Sequence, residues 1–143
     1  MGEVEYYLDA SFLVALLTPE PLNPRAESFN QRHPTPSIVS DYAAAEFASA
    51  ISRRCRDGDF TIEQARTALA TLDGWIAGAA RLIEVLPVDI AFAAGFLRRL
   101  DLSLRTPDAI HIAMAQRVGA TLVTFDRQMA AAARVLSVPV ADA

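Results

Sequence analysis

The sequence contains no lysine, because all 13 of its basic residues are arginine. This absence excludes the phosphate-binding lysine of a P-loop, a Schiff-base lysine and the lysine of a phospho-receiver domain. Cysteine is nearly absent as well, since Cys55 is the one cysteine in the chain. It can form no internal disulfide and has no ligand-spaced partner, so we interpret it as a structural thiol.

Long hydrophobic runs are also missing. The longest unbroken apolar run extends from Phe12 to Leu17, far too short to cross a bilayer. Glu3 and Glu5 stand where a signal peptide would carry basic residues, so we expect a cytoplasmic protein that does not bind the membrane. Positive charge is scarce, with 17 acidic residues against 13 arginines, and the net charge of −4 argues against a simple basic surface for nucleic acid. If nucleic acid is bound, a metal ion must help.

What is present predicts a folded α/β chain. Its 143 residues, 52% of them hydrophobic, are expected to form one domain, 1–143. Hydrophobic periodicity and cap residues predict strands at 4–8, 37–39, 82–88, 121–125 and 138–140, and helices at 11–17, 25–32, 41–56, 61–78, 89–100, 106–118 and 126–134. This alternation predicts a three-layer α/β/α sandwich around a central, mainly parallel sheet of four to five strands.

One carboxylate, Asp9, stands in the otherwise apolar segment YYLDASFLVALL. An unpaired charge near the core would be costly, so Asp9 must either have partners or mark the place where the chain leaves the core. It follows the first predicted strand, and Asp126 follows a later one. In open parallel sheets, ligands bind beyond the carboxyl ends of the strands, where the strand order reverses. Both aspartates are therefore expected at such a site.

Local structure offers an explanation for three of the four acids that are candidates for a site. Asp9 and Asp126 can cap the helices that follow them, and Asp108 lies in a first turn, where the helix dipole favours acids. Glu46 has no such explanation, because it is the single charge in the helical segment YAAAEFASAIS and the nearest cation, Arg53, lies two turns away. We expect this alanine-rich helix to be buried against the sheet.

Taken together, the four carboxylates predict a metal site. The two strand ends and the first turn that holds Asp108 would face one cleft, which Glu46 would approach from the preceding helix. Four carboxylates so close cannot all stay ionised unaided, because like charges raise one another's pKa. A hard divalent cation resolves this conflict, and Mg²⁺, or alternatively Mn²⁺, takes oxygen ligands and keeps several waters.

Three segments resemble, in order, the motifs of the PIN-domain family and especially its VapC-type toxins: YYLDASFLVALL, AAAEFASAISRR and LRTPDAIHIAMAQRVGATLVTFD. The resemblance extends from Tyr7 to about Ala133. It implies a site of four acids that bind metal, bracketed by two hydroxyl side chains; the acids are Asp9, Glu46, Asp108 and Asp126, and the hydroxyls are Ser11 and Thr124. It also implies a cognate antitoxin protein and a homodimer.

The chemistry that the resemblance implies is Mg²⁺-dependent hydrolysis of RNA phosphodiester bonds by the toxin of a type II toxin-antitoxin module. Asp9 and Asp108 would ligate the metal directly, while Asp126 and Glu46 would hold metal waters or complete a second site. Glu46 is also a candidate general base. RNA phosphates need cations at the rim, and the candidates are Arg53, Arg54, Arg98, Arg99, Arg105 and Arg127.

Two other functions stay open at this point. A phosphoaspartate enzyme of haloacid-dehalogenase or receiver type would use Asp9 as its nucleophile. Against it, Ser11 stands where a second aspartate is expected, and the chain has no lysine. The other alternative is a non-catalytic interaction module in which the four acids serve only as helix caps.

Two more polar residues are assigned to the structure rather than to the site. His111 shares a helix face with Met114, and we interpret it as a packed histidine rather than a ligand. Asp89 is predicted to cap the helix that follows it.

Overall fold

The computed structural model describes residues 2–143, in which strands and helices alternate. This part of the chain contains four strands and seven helices: β1 (Tyr6–Leu8), α1 (Ala10–Leu17), α2 (Asn23–Arg32), β2 (Ser37–Ser40), α3 (Asp41–Arg56), α4 (Ile62–Ala79), β3 (Ala80–Ile83), α5 (Pro87–Leu97), α6 (Thr106–Val118), β4 (Thr121–Val123) and α7 (Arg127–Val135). The order confirms the predicted α/β pattern.

The four strands form one parallel sheet in the order β3-β2-β1-β4. Tyr7 in β1 pairs with Ile38 in β2 on one side and with Leu122 in β4 on the other. The chain moves outward from β1 to β2 and β3, and then returns to the opposite side of β1 to form β4. The strand order therefore reverses between β1 and β4, and the carboxyl ends of these two strands are where such a sheet binds ligands.

Helices cover both faces of this sheet, because successive strand residues point to opposite sides. Tyr7 packs into a core with side chains of α6 and α7, whereas the next residue, Leu8, packs with side chains of α1, α2, α3 and α4. Ile38 and Val39 in β2 divide between the same two cores. The predicted three-layer sandwich with a parallel sheet of four to five strands is thus confirmed.

The strand predicted at 82–88 is wrong in its position. β3 ends at Ile83, and α5 begins at Pro87. Proline lacks a backbone N–H and has a φ angle suited to the first turn of a helix, so the apolar residues around it form a loop and a helix. β3 also lies at the edge of the sheet, where Leu82 is 53% exposed, so its burial differs from that of a central strand.

Asp89 does not occupy the N-cap position that its sequence context suggests. Leu86 is the N-cap of α5, and the Asp89 carboxylate accepts a hydrogen bond from the Leu86 backbone N–H at 2.8 Å. The Asp89 side chain is buried and forms an ion pair with Arg117 of α6. The residue therefore ties α5 to α6 in addition to closing the first turn of its own helix.

The remaining differences from the predicted elements are shifted helix and strand ends and the loss of the last predicted strand. The helix predicted through Leu100 ends at Leu97, and the strand predicted at 138–140 is reduced to one parallel bridge between Leu122 and Val140. None of the helices formed by residues 2–143 is long and apolar enough to cross a membrane.

Candidate functional site

Asp9 lies at the carboxyl end of β1, where it caps α1. Its Oδ1 atom accepts hydrogen bonds from the Phe12 backbone N–H at 3.0 Å and from the Ser11 hydroxyl at 2.8 Å. Its Oδ2 atom accepts one from the Thr124 hydroxyl at 2.5 Å. The side chain is almost completely buried, so these three donors are the partners that its apolar surroundings require.

Burial raises the pKa of the Asp9 carboxyl above its usual value. The hydrogen bonds from Thr124, from the Phe12 backbone N–H and from Ser11 act in the opposite direction but do not cancel the effect. The buried Asp9 carboxylate is therefore a position at which additional positive charge would be favourable.

Asp126 follows β4 and caps α7, accepting a hydrogen bond from the Met129 backbone N–H at 3.0 Å. Thr124 connects the two aspartates at the strand ends, because its hydroxyl donates to Asp9 and its Oγ1 accepts from the Asp126 backbone N–H at 3.0 Å. Ser11 completes this connection by accepting a hydrogen bond from the Phe125 backbone N–H at 3.1 Å. The reversal of strand order thus brings Asp9, Asp126 and both predicted hydroxyl residues together.

Asp108 lies in the first turn of α6, with only 4% of its side chain exposed. Its Oδ2 atom accepts a hydrogen bond from the Arg105 backbone N–H at 3.2 Å and lies 3.5 Å from Arg105 Nε. The same guanidinium group reaches Asp126, with Nη2 lying 3.9 Å from Oδ2. Arg105 therefore connects Asp108 to Asp126, although most of its own side chain is exposed.

Glu46 lies on α3 with 30% of its side chain exposed, and its carboxylate contacts His111 Nε2. The opposite ring nitrogen, Nδ1, lies 2.7 Å from the Tyr7 hydroxyl. His111 is buried and packed as predicted, but it is also the partner of Glu46 that the sequence analysis did not identify. The alanine-rich helix is only half-buried, because Ala45 and Ala48 face solvent.

Two tyrosines lie in the electrostatic field of three of the four acids. Burial raises the pKa of Tyr7, and the charges of Asp9 and Glu46 raise it further. Burial likewise raises the pKa of Tyr42, with additional contributions from Glu46 and Asp108. Glu46 thus acts on both tyrosines, Asp9 on one and Asp108 on the other. Asp126 is linked to these acids through Arg105, which contacts both Asp108 and Asp126.

The donor atoms at this site fit a hard divalent cation, since they are carboxylate and hydroxyl oxygens. The guanidinium group of Arg105 shows that positive charge is already accommodated between Asp108 and Asp126. Within residues 2–143, however, no three acidic, histidine or cysteine side chains converge closely enough to hold a metal ion in their present positions. A metal would require these carboxylates to approach one another.

Two cavities open beside these residues. One, of about 440 Å³, is lined by Ser11, Glu46 and Asp126 among others. The second, of about 710 Å³, adjoins it at Asp126 and is lined by Asp142 and by three arginines, Arg25, Arg127 and Arg134. We call this second space the basic cavity.

The basic cavity contains one of the arginines predicted for the rim and two that the prediction missed. Arg127 was predicted, whereas Arg25 and Arg134 come from α2 and the end of α7 and had no local motif to identify them.

The other predicted rim arginines do not gather at the site, with the exception of Arg105. Arg54 lies over the Phe60 ring at 5.4 Å from its centroid, and Arg99 pairs with Asp101. Arg53 and Arg98 line neither of the two cavities.

Residues 6–135 match the PIN domain family. Ribonuclease VapC46 of Mycobacterium tuberculosis (strain ATCC 25618 / H37Rv) is 36% identical over 138 residues, which cover 94% of each chain. The crystal structure of Mycobacterium tuberculosis VapC20, a Sarcin-Ricin loop cleaving toxin, has a TM-score of 0.73 and 22% identity, covering 89% of this chain and 94% of that one. VapBC2 from Rickettsia felis, bound to a DNA fragment from its promoter, has a TM-score of 0.70 and 15% identity, covering 96% of this chain and 98% of that one.

The two solved structures share the fold of this chain. The family match extends over most of the described residues, and the identity with VapC46 extends over nearly the full length of both proteins. The chain therefore belongs to the PIN-domain family.

Proposed function

We propose that the protein is a Mg²⁺-dependent endoribonuclease that acts as the toxin of a type II toxin-antitoxin module. The observation that carries this proposal is the junction at the carboxyl ends of β1 and β4, where Thr124 binds both Asp9 and Asp126. The buried carboxylate of Asp108 is connected to this junction through Arg105. The 36% identity between this chain and a protein named a ribonuclease supports the same reaction.

Helix capping and catalysis are compatible at these positions. Asp9 and Asp126 each use one oxygen to accept the capping hydrogen bond, which orients the side chain. The capping interaction therefore explains why the carboxylates are held in place, and it does not exclude a further role.

Asp9 and Asp108 are our candidates for direct metal ligands, and Asp126 and Glu46 would hold water molecules around the ion or complete a second site. When bound, Mg²⁺ or Mn²⁺ would orient and activate the attacking water and neutralise charge on the scissile phosphate. The carboxylate of Glu46 would accept a proton from that water, a role supported by its partial exposure and its position in the lining of the smaller cavity. Arg105 would leave Asp108 and Asp126 as the ion binds.

The RNA strand would extend from the carboxylates into the basic cavity. Arg127 and Arg134 lie seven residues apart on α7 and so face the same side of that helix. Arg25 lies over the Phe125 ring, at 5.2 Å from its centroid, and lines the same cavity. These three guanidinium groups would contact phosphates without reading the base sequence, which supports binding of RNA by its backbone and shape.

We also propose a cognate antitoxin protein as partner, a homodimeric assembly and a cytoplasmic location. A groove of about 550 Å³ lined by Leu17, Phe60 and Ala68 supports the binding of an apolar segment of a partner. Dimerisation is supported by apolar side chains that α5 leaves exposed, among them Ile90 and Phe92.

The test is an RNA cleavage assay with purified protein on tRNA and rRNA fragments, in Mg²⁺, in Mn²⁺ and in EDTA. We expect cleavage with either ion and none in EDTA. Asp9→Asn and Asp108→Asn should each abolish cleavage while the circular dichroism spectrum stays unchanged. Cleavage that persists in EDTA would overturn the metal-dependent mechanism, and full activity of both variants would overturn the site.

A further inference from the structure

We propose that His111 and Tyr7 form a buried relay that positions Glu46 for metal and water binding, so that both are positioning residues of the proposed nuclease. This inference rests on the proposed function. It is carried by a continuous chain of contacts from Glu46 to His111 Nε2, from Nδ1 to the Tyr7 hydroxyl at 2.7 Å, and from that hydroxyl to Ser40 Oγ at 2.8 Å.

One assignment of protons gives every hydrogen bond of the relay a donor and an acceptor. The ionised Glu46 carboxylate only accepts hydrogen bonds, so Nε2 of His111 carries the proton that faces it. In a neutral ring, Nδ1 is then an acceptor and receives the hydroxyl proton of Tyr7. Ser40 donates to Tyr7 and accepts from the Ala43 backbone N–H at 2.9 Å.

Every polar group in the relay is satisfied by this arrangement. Throughout residues 2–143, no buried side-chain nitrogen or oxygen lacks a hydrogen-bond partner. A buried network that is complete in this way restricts its members to one geometry, because any other orientation would leave a buried donor or acceptor unpaired.

The relay connects the elements that carry the proposed metal ligands. Tyr7 lies two residues before Asp9 on β1, and His111 lies three residues after Asp108 on α6. The chain of hydrogen bonds ends on Ser40, which caps α3, the helix that holds Glu46. Glu46 is thereby held relative to both aspartates, although α3 itself contributes no cation near it.

Two hydrogen-bonding groups distinguish positioning from simple packing. The Tyr7 and His111 side chains are buried, and Tyr7 also contacts Met114 Sδ at 3.9 Å, so both residues contribute to the core. Packing requires only their volume and shape. Positioning of Glu46 requires in addition the N–H at Nε2 and the hydroxyl that binds Nδ1, and these can be removed without removing the volume.

The experiment compares His111→Leu, His111→Gln and Tyr7→Phe with the parent protein. Mn²⁺ affinity is measured by electron paramagnetic resonance, RNA cleavage by kcat and KM, and folding by urea denaturation. The matched control is His33→Gln at the other histidine, which contacts Tyr6 and Phe29 in the core on the opposite face of the sheet from Tyr7.

We expect His111→Leu to weaken Mn²⁺ binding and to lower kcat by about tenfold or more, as removal of an outer partner of a metal ligand typically does. His111→Gln should recover most of both losses, because its amide N–H can replace Nε2–H. Tyr7→Phe should show a smaller loss in kcat with little change in KM. His33→Gln should match the parent in Mn²⁺ affinity.

The relay is refuted if His111→Leu binds Mn²⁺ as tightly as the parent, or if His111→Gln recovers nothing. Should His111→Leu fail to fold, Tyr7→Phe retains the ring volume and decides the question, since unchanged Mn²⁺ affinity and kcat would then overturn the proposal. A parent protein that binds Mn²⁺ but cleaves no RNA would contradict the proposed function alone and leave the affinity series as the test of the relay.

Discussion

The guanidinium group of Arg117 binds the buried carboxylate of Asp89 at two points. Nε lies 2.8 Å from Oδ1, and Nη2 lies 3.1 Å from Oδ2. Arg117 Nη2 also donates to the Glu84 carbonyl at 3.0 Å, so a single arginine on α6 holds both α5 and the loop before it. Asp89 raises the pKa of Arg117 through these hydrogen bonds, which keeps the guanidinium charged.

Replacing this arginine should therefore destabilise the fold. Arg117→Met leaves the Asp89 carboxylate buried without its counter-charge, and we expect the free energy of unfolding to fall by about 3 kcal/mol. The measurement is urea denaturation followed by circular dichroism. Arg81→Met is the matched control, because Arg81 pairs with Glu5 at the exposed surface and should cost less than about 1 kcal/mol. Equal losses in the two variants would contradict the role of the buried pair.

Removing Arg105 should strengthen metal binding. Its guanidinium lies between Asp108 and Asp126, where it would compete with an incoming divalent cation and repel it. We expect Arg105→Gln to raise Mn²⁺ affinity by about two- to fivefold, the equivalent of one exposed ion pair. Arg99→Gln removes the same charge next to Asp101, away from the site, and should leave the affinity unchanged. Weaker Mn²⁺ binding by Arg105→Gln would show that this arginine does not compete with the metal.

The pH dependence of stability should reflect the buried carboxyl of Asp9. Its pKa is raised in the folded protein, whereas an unfolded chain ionises it near the ordinary value of about 3.9. Between these two values the folded state binds more protons, so the free energy of unfolding falls as pH rises. Asp9→Asn lacks this effect and should gain stability relative to the parent as pH increases from about 4 through the raised pKa.

The measurement for Asp9 is urea denaturation in EDTA from acidic to neutral pH. Asp101→Asn provides a contrast of opposite sign, because hydrogen bonds from Arg99 lower the pKa of Asp101. A carboxyl with a lowered pKa contributes stability that is lost as pH falls, so this variant should lose a small amount of stability relative to the parent as pH rises. A constant stability difference between Asp9→Asn and the parent across pH would contradict the burial effect.

The basic cavity should govern the salt dependence of RNA binding. Each arginine that contacts a phosphate contributes about 0.7 to the slope of log affinity against log salt for a single strand. We expect the Arg127→Ala/Arg134→Ala double variant to reduce this slope by about 1.4. Binding is measured in EDTA by fluorescence anisotropy with a labelled RNA. Arg66→Ala/Arg98→Ala removes the same charge elsewhere and should change the slope little, and equal reductions in both double variants would refute binding in the cavity.

Much of the local structure could be predicted because its causes lie within a few residues. Thr61 accepts a hydrogen bond from the Gln64 backbone and Gln64 returns one, which is the capping box that their spacing predicts. Asp9 and Asp126 cap helices three residues or fewer away. Residue type and spacing are sufficient to predict such caps, since each cap involves one short segment of the chain.

The features that the sequence did not predict correctly have physical causes as well. The strand predicted at 82–88 follows a hydrophobic run that contains Pro87, and the apolar pattern alone did not separate an edge strand from a helix that starts at proline. Glu46 has no partner within the neighbouring turns of its own helix. Its partner, His111, is 65 positions away on another helix, so only the tertiary structure could reveal it.

The sequence by itself determined the alternation of strands and helices, the local caps, and the identity of the acids that follow β1 and β4. These depend on hydrophobic periodicity and on side chains that bind the nearest backbone N–H groups. The tertiary structure decided which groups meet: Thr124 with Asp9, Arg105 with Asp126, and Glu46 with His111. The reason is the order of strands in the sheet, which places β4 beside β1 and brings together side chains that are far apart along the chain.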